Sequence, residues 1–513
     1  MEDIREDRST SGVRVAKEQN AHERKKLDRA FVGGVAWTAG AKWFSQIVSW
    51  PSVLICARLL SPADFGIVEM AGFYFVVTNV VAEFGVGVAV LQMRELNAAV
   101  VAQLNTVALL AGVLAFGISV AAAPLIAAFF RSPGLNHLVI IASLSFILTS
   151  FEAIPLGLLQ RDMDYRRLSV AESVQAIVMA VVSVICAWSG LAYWSLVIGN
   201  LVGRSANISL TIFWRPTRFA MPRWKQVAVP LQFGMEIAMQ RIVGTVGMLS
   251  DSMVIGRTLG QSPLGTYRLA SNLASTPSEK IGALIMRVTG PLFARVQADG
   301  ELLRRYFLIF TETLAMSIFP LLFGLALVAP EAVDLLLGPQ WASAAMPLRW
   351  LAIYMAIRTM LYLMNQLLTT LRFTRFGMWM SMLNFALMPV AFYVASRRGI
   401  GAVAAAWCVM SPLTAVPIGF KVLRAIGCGL PQYLRSLAPA LIGSAAMLLA
   451  VTGLQLWNEP RHWTVFTRLT TEITVGGIAY AAVVWGINRG RIKQYMHFFL
   501  TLRKPTTAAK IES

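Results

Sequence analysis

Charge is scarce in this chain. Only 14% of its 513 residues are Asp, Glu, Lys or Arg, against about a quarter in ordinary soluble proteins. With 57% hydrophobic residues and a mean hydropathy of +0.62, it reads as a protein built for lipid. Cysteine and histidine are equally thin, four of each. Cys56, Cys186, Cys408 and Cys428 lie scattered in or beside apolar runs, with no Cys-x-x-Cys pair. They read as small packing residues rather than disulfides or metal ligands. His22, His137, His462 and His497 fall in tails and loops without metal or triad spacing, so an intramembrane enzyme is a poor reading. No Gly-x-x-x-x-Gly-Lys-Ser/Thr loop occurs, and ATP hydrolysis on this chain is therefore not expected. No cofactor or metal is expected. Acidic residues are outnumbered 26 to 45, for a net charge of +19. The basic residues are dispersed between apolar runs, with no zinc-finger spacing or aromatic-basic platform, which argues against a nucleic-acid partner.

The long apolar runs supply the architecture. A membrane helix needs about 20 apolar residues, and the chain offers about fourteen such runs. In the first half they lie near 33–57, 65–91, 100–129, 136–158, 168–187 and 191–213. The second half gives 228–256, 264–289, 303–328, 346–370, 377–395 and 401–423, and two more follow near 433–456 and 467–487. The expected fold class is an all-α integral membrane protein: two pseudo-symmetric six-helix bundles plus two extra C-terminal helices. The segments are a basic N-terminal tail (1–31), a first bundle (32–213), a connector (214–227), a second bundle (228–425), two added helices (426–488) and a basic tail (489–513). Residues 1–30 are polar and lack an apolar core, so the first membrane helix is expected to direct insertion itself. Residues 21–31 read as a positive-inside anchor or a short basic helix at the headgroups.

Lysine and arginine set the orientation. With the N-terminus inside, the inner segments hold 32 of them and the outer segments 7. That asymmetry places both tails in the cytoplasm. An even number of spans per half puts the pseudo-symmetry axis along the membrane normal, with a transport path between the halves.

One stretch organises the rest. Ala57-Arg58-Leu59-Leu60-Ser61-Pro62-Ala63-Asp64-Phe65-Gly66 ends one helix, turns, and opens the next at the proline. The following helix carries Glu69 and Glu83 through an otherwise apolar run, and a carboxylate in hydrocarbon usually faces protein or a water-filled cavity. Near mid-chain, Gly256-Arg257-Thr258-Leu259-Gly260-Gln261-Ser262-Pro263-Leu264-Gly265 repeats the Arg-to-Gly spacing. In that register Arg268 stands opposite Glu69. An internal duplication is the expectation.

The stretch ARLLSPADFG…EFGVGVAVLQ resembles the opening helices of bacterial polysaccharide (lipid-linked oligosaccharide) flippases. These share a superfamily with multidrug/toxin extruders and lipid II flippases. DSMVIGRTLGQSPLGTYRLA (251–270) resembles the start of that family's second half, and LLGPQWASAAMPLRWLA (336–352) its motif ahead of the tenth helix. The resemblance implies a multi-pass protein of the bacterial inner membrane that moves a polyprenyl-diphosphate-linked oligosaccharide to the outer leaflet. The sugar and diphosphate would cross through a hydrated cationic cleft while the polyprenyl tail stays among membrane lipids. It also suggests a polysaccharide polymerase and a chain-length regulator as partners. Proton or sodium coupling stays open, as does a multidrug or metabolite antiporter of the same superfamily.

Six basic residues fall outside the loop count: Lys42, Arg241, Arg268, Lys280, Arg349 and Arg358. Lys42 and Arg241 occupy equivalent first helices, where they either face an anionic diphosphate or snorkel to the headgroups. Lys280 and Arg358 lie deeper, and Arg349 reads as interfacial. Acidic candidates are Glu69, Glu83, Glu236, Asp251, Glu279 and Glu312. The expected substrate cleft comprises Lys42, Arg241, Lys280, Arg358, Glu83 and Asp251, although Glu279 and Lys280 also read as a local pair. Glu69 and Arg268 are the expected outer gate pair, or else two independent interfacial charges. Prolines 51, 155, 230, 291, 320, 389 and 412 interrupt the apolar runs and supply candidate bends.

Overall fold

The computed structural model describes residues 37–503 except 38–39, 42, 83–89, 91–96, 224–227, 229–231, 233–248 and 459–463. All regular structure among the described residues is helical. Ten helical segments among them are long and apolar enough to cross a membrane. Of the remaining four expected spans, 33–57, 65–91 and 228–256 run into undescribed residues. The fourth, 264–289, lies within one continuous helix (Gln261–Val296) but carries Arg268, Glu279, Lys280 and Arg287 along it. That charge makes it more polar than a lipid-facing span.

The chain divides into two units, 1–249 and 250–513. In the first, α1 (residues 43–59) leads into α2 (Pro62–Ala82), α3 (Ala98–Phe130), α4 (Gly134–Ala142), α5 (Leu144–Arg161), α6 (Tyr165–Trp188) and α7 (Trp194–Trp214). The turn between α1 and α2 forms at Ser61-Pro62, as the proline dictates. Asp64 fixes it by accepting from the Ser61 N–H at 2.9 Å and the Ser61 hydroxyl at 2.6 Å. The other Asp64 oxygen accepts from the Tyr193 N–H at 3.2 Å, which ties this turn to the start of α7. The run expected as one span at 136–158 is two helices. The chain breaks at Ser143, whose hydroxyl bonds back to the Ile140 carbonyl at 2.6 Å, the local competition by which serine interrupts a helix.

Small residues let these helices approach. Gly199 and Gly203 line one face of α7, one turn apart, against Met179 and Ser183 of α6. A Cβ on Gly203 would meet the Met179 Cβ at 2.8 Å and the Gln175 carbonyl at 3.0 Å. Between α3 and α5, Gly112 does the same work against Ser150 and the Phe146 carbonyl. Lipid offers no hydrophobic drive between helices, so close van der Waals packing over small residues holds them.

The second unit comprises α8 (Ser250–Thr258), α9 (Gln261–Val296), α10 (Gly300–Leu327), α11 (Ala329–Leu336), a 3-10 turn (Pro339–Ala344), α12 (Ala345–Thr370), α13 (Thr374–Ser396), α14 (Ile400–Ala425), α15 (Leu430–Asn458) and α16 (Val465–Arg503). Here α12 packs between α9, α10 and α14, and α15 packs between α10 and α16. The segment 329–345, between the expected spans 303–328 and 346–370, folds into α11 and the 3-10 turn. Gly338 turns between them at φ +99, and Trp341 is fully buried. The last helix also runs further than expected, continuing to Arg503.

Candidate functional site

Each unit buries a carboxylate in a hydrogen-bonded cluster among its packed helices. In the first unit, Thr149 and Glu152 lie one turn apart on α5, and Arg204 and Asn207 one turn apart on the facing side of α7. Arg204, midway along α7, donates from Nη1 to the Thr149 hydroxyl at 2.8 Å. The Asn207 amide nitrogen donates to Gln175 on α6 at 2.7 Å and to Glu152 at 3.2 Å. Glu152 and Asn207 are buried, and the Asn207 Oδ1 is buried without a hydrogen-bond donor. A carboxylate held this far along apolar helices carries a desolvation cost of several kcal/mol, on the order quoted for buried ions. Such residues ordinarily mark a transport path or a relay.

In the second unit the carboxylate is Asp251, at the start of α8. It is 5% exposed. Tyr267 on α9 donates its hydroxyl to Asp251 Oδ2 at 2.8 Å, and Trp407 on α14 donates its indole N–H to the same oxygen at 3.2 Å. The other oxygen takes the Ser252 N–H at 2.7 Å. Trp407 is held by Tyr354 of α12, stacked at 4.8 Å, and by Phe392 of α13 at 4.9 Å. The result is a fully hydrogen-bonded acceptor walled by aromatic rings.

The other sequence candidates distribute as follows. Lys42, Glu83, Glu236 and Arg241 lie outside the described residues. Glu69 is half-buried on α2 of the first unit, and Arg268 is half-buried on α9 of the second. Arg358 is half-buried on α12, with its guanidinium 6.0 Å from the Tyr362 ring centre and 3.7 Å from the Met355 sulfur. Glu279, Lys280 and Arg349 are exposed, and Glu312 is buried on α10.

Sequence reasoning did not single out Thr149, Glu152, Gln175, Arg204 and Asn207. Arg204 was counted with the loop arginines because it lies near a basic connector. Its spacing to Asn207, and that of Thr149 to Glu152, was the available signal. Tyr267 and Trp407 carried no sequence signal, since a tyrosine or tryptophan in an apolar helix ordinarily fills a core.

Comparison with known proteins agrees with this architecture. Residues 55–346, more than half of the chain, match the family described as polysaccharide biosynthesis protein. The chain is 26% identical over 483 residues to the succinoglycan biosynthesis transport protein ExoT of Rhizobium meliloti (strain 1021), covering 92% of this chain and 96% of that one. It is 23% identical over 463 residues to the teichuronic acid biosynthesis protein TuaB of Bacillus subtilis (strain 168), covering 88% and 95%. Among solved structures it is similar to the lipid II flippase MurJ in an inward closed conformation, with TM-score 0.68 and 14% identity over 89% of this chain and 99% of that one. An inward-facing multidrug resistance transporter of the MATE family and MOP superfamily aligns at TM-score 0.59 and 14% identity, over 75% and 94%. The matched residues, the nearly full-length relatives and the shared helical fold together make this chain a multi-pass membrane member of the polysaccharide biosynthesis protein family.

Proposed function

We propose that this protein is a flippase, and not an enzyme, that carries a polyprenyl-diphosphate-linked oligosaccharide repeat unit across the bacterial inner membrane. Its product would feed exopolysaccharide, lipopolysaccharide or capsule assembly. The observation that carries the reading is family membership over most of the chain, joined to near full-length similarity to a succinoglycan transport protein. The resemblance of the fold to a lipid II flippase supports a headgroup-in-cleft, tail-in-lipid path.

In this reading two six-helix halves rock about a central cleft, and both termini lie in the cytoplasm. Lys42, Arg241, Lys280 and Arg358 face the diphosphate, because a cation placed in hydrocarbon is stabilised by an anionic ligand. Glu83 and Asp251 complete the cleft lining, and Glu69 with Arg268 closes its outer end. A polysaccharide polymerase and a chain-length regulator take the product onward.

The test is the sidedness of the lipid-linked oligosaccharide in cells lacking the protein. Repeat units that accumulate on the cytoplasmic face, and are cleared by wild type but not by the Lys42→Ala/Arg241→Ala double variant, support the flippase and its cationic cleft. Normal sidedness with altered drug sensitivity overturns the substrate assignment in favour of an antiporter.

A further inference from the structure

A second pair of buried carboxylates lies apart from both clusters, where α11 meets the start of α16. Arg468 on α16 reaches Glu331 of α11 with Nη2 at 2.9 Å and Glu472, one turn along its own helix, with Nε at 3.2 Å. Glu331 is 7% exposed and Glu472 1%. Each keeps one oxygen, Glu331 Oε2 and Glu472 Oε2, buried without any hydrogen-bond partner. Gln455 on α15 stands beside Glu472.

The charge count does not close. Among the described residues one guanidinium faces two carboxylates, so the fully ionised cluster carries one negative charge in excess, largely out of water. A carboxylate left uncompensated in such a place is destabilising, as a broken buried ion pair is. Two acceptor oxygens without donors add to that cost. A single proton neutralises the excess charge and turns one orphaned acceptor into a donor. Metal chemistry fits poorly, because a cation would meet two carboxylates and a neighbouring guanidinium. Among the described residues no group of three His, Cys, Asp or Glu is placed to hold a metal ion.

Other titratable groups on the packed elements stand elsewhere. Asp334 on α11 is exposed. Tyr433 and Arg435 lie at the opposite end of α15 from Gln455, and Glu301, Arg304, Arg305 and Tyr306 at the far end of α10 from α11. Glu312 sits one turn before Met316, whose carbonyl accepts from Tyr480, two turns along α16 from Glu472. We infer that Glu472 holds one bound proton beside Arg468 and Glu331, and that this proton holds α16 against α11. Of the two carboxyls Glu472 is the more deeply buried, 1% exposed against 7% for Glu331.

The experiment is thermal unfolding of the purified full-length protein in lipid nanodiscs from about pH 5 to about pH 8, the range over which a perturbed carboxyl titrates. Protonation stabilises the docked state, so wild type should lose melting temperature as pH rises, by on the order of 2 °C. Glu472→Gln, a permanent mimic of the protonated form, should keep the low-pH value throughout. Parallel slopes for wild type and Glu472→Gln would overturn the proposal. Difference infrared spectroscopy gives a second readout that does not depend on the melt. A protonated-carboxyl carbonyl band at neutral pH should vanish in Glu472→Gln and shift in Glu331→Gln, and a band indifferent to both would overturn it. Sodium-dependent stabilisation at fixed pH that Glu472→Gln abolishes would replace the proton with a metal cation, which also defeats the proposal.

Discussion

Trp407 on α14 donates its indole N–H between two acceptors, Asp251 Oδ2 at 3.2 Å and the Tyr267 hydroxyl at 3.0 Å. Three helices, α8, α9 and α14, therefore meet on one carboxylate. A buried carboxylate is tolerable only while such donors surround it, so the packing of these helices depends on Tyr267 and Trp407 staying in place.

Tyr267→Phe removes the 2.8 Å donor and leaves the ring in place. We expect a loss of about 1–3 kcal/mol, the usual cost of an unmet buried hydrogen bond. Tyr393→Phe, at a position 53% exposed, is the control and should change little. Thermal unfolding of both variants in detergent checks the difference, and equal melting temperatures would refute the role of Tyr267.

Gly203→Val tests the packing of α6 on α7. Even one carbon at this position meets the Met179 Cβ and the Gln175 carbonyl, at 2.8 and 3.0 Å, and a backbone carbonyl cannot swing aside. Overpacking of this kind costs typically about 1–3 kcal/mol. Because Gln175 belongs to the Glu152–Asn207 network, oligosaccharide export should fall together with stability. Gly190→Val would be a poor control, since Gly190 has φ +79; Gly117→Val, with open space at its Cβ, is a suitable one.

The proposed gate pair is open to a charge swap. Glu69→Arg and Arg268→Glu should each lower oligosaccharide translocation, and the double variant should recover it, as coupling between facing charges requires. A double variant no better than the worse single variant would show two independent charges.

Cys428 lies in the connection between α14 and α15 and is buried. Burial pushes its thiol above the ordinary range, and the Arg304 guanidinium pulls against that shift. A raised thiol pKa means less thiolate at a given pH. Labelling by a water-soluble maleimide should therefore be slow near neutrality and accelerate only at pH values beyond those of a free cysteine. Arg304→Gln should slow it further, because the opposing cation is gone.

Much of the fold was legible in sequence. Ser61-Pro62 starts α2, and the turn before Gln261 repeats the pattern, because proline and glycine restrict the backbone locally whatever surrounds them. The break at Ser143 escaped notice because a serine in an apolar run is usually accommodated by its own helix. The site was less legible. Asp251 stood out as a charge in an apolar run, but its partners Tyr267 and Trp407 are distant in sequence and ordinary in type. Arg204 was mistaken for a loop residue because Lys/Arg counting assigns charge by proximity to a loop, whereas its side chain turns inward to Thr149.

Composition and hydropathy by themselves determined that this is a multi-span helical membrane protein, since a backbone in hydrocarbon must be satisfied within a helix or a closed barrel, and apolar runs of about 20 residues select the helix. The motifs determined its family. The tertiary structure alone decided which polar residues meet: Glu152 with Asn207, Asp251 with Tyr267 and Trp407, and Glu331 with Glu472 across one arginine. The reason is physical. Burial of a polar group is set by helix rotation and by what faces it, and both are fixed by packing between segments far apart in the chain.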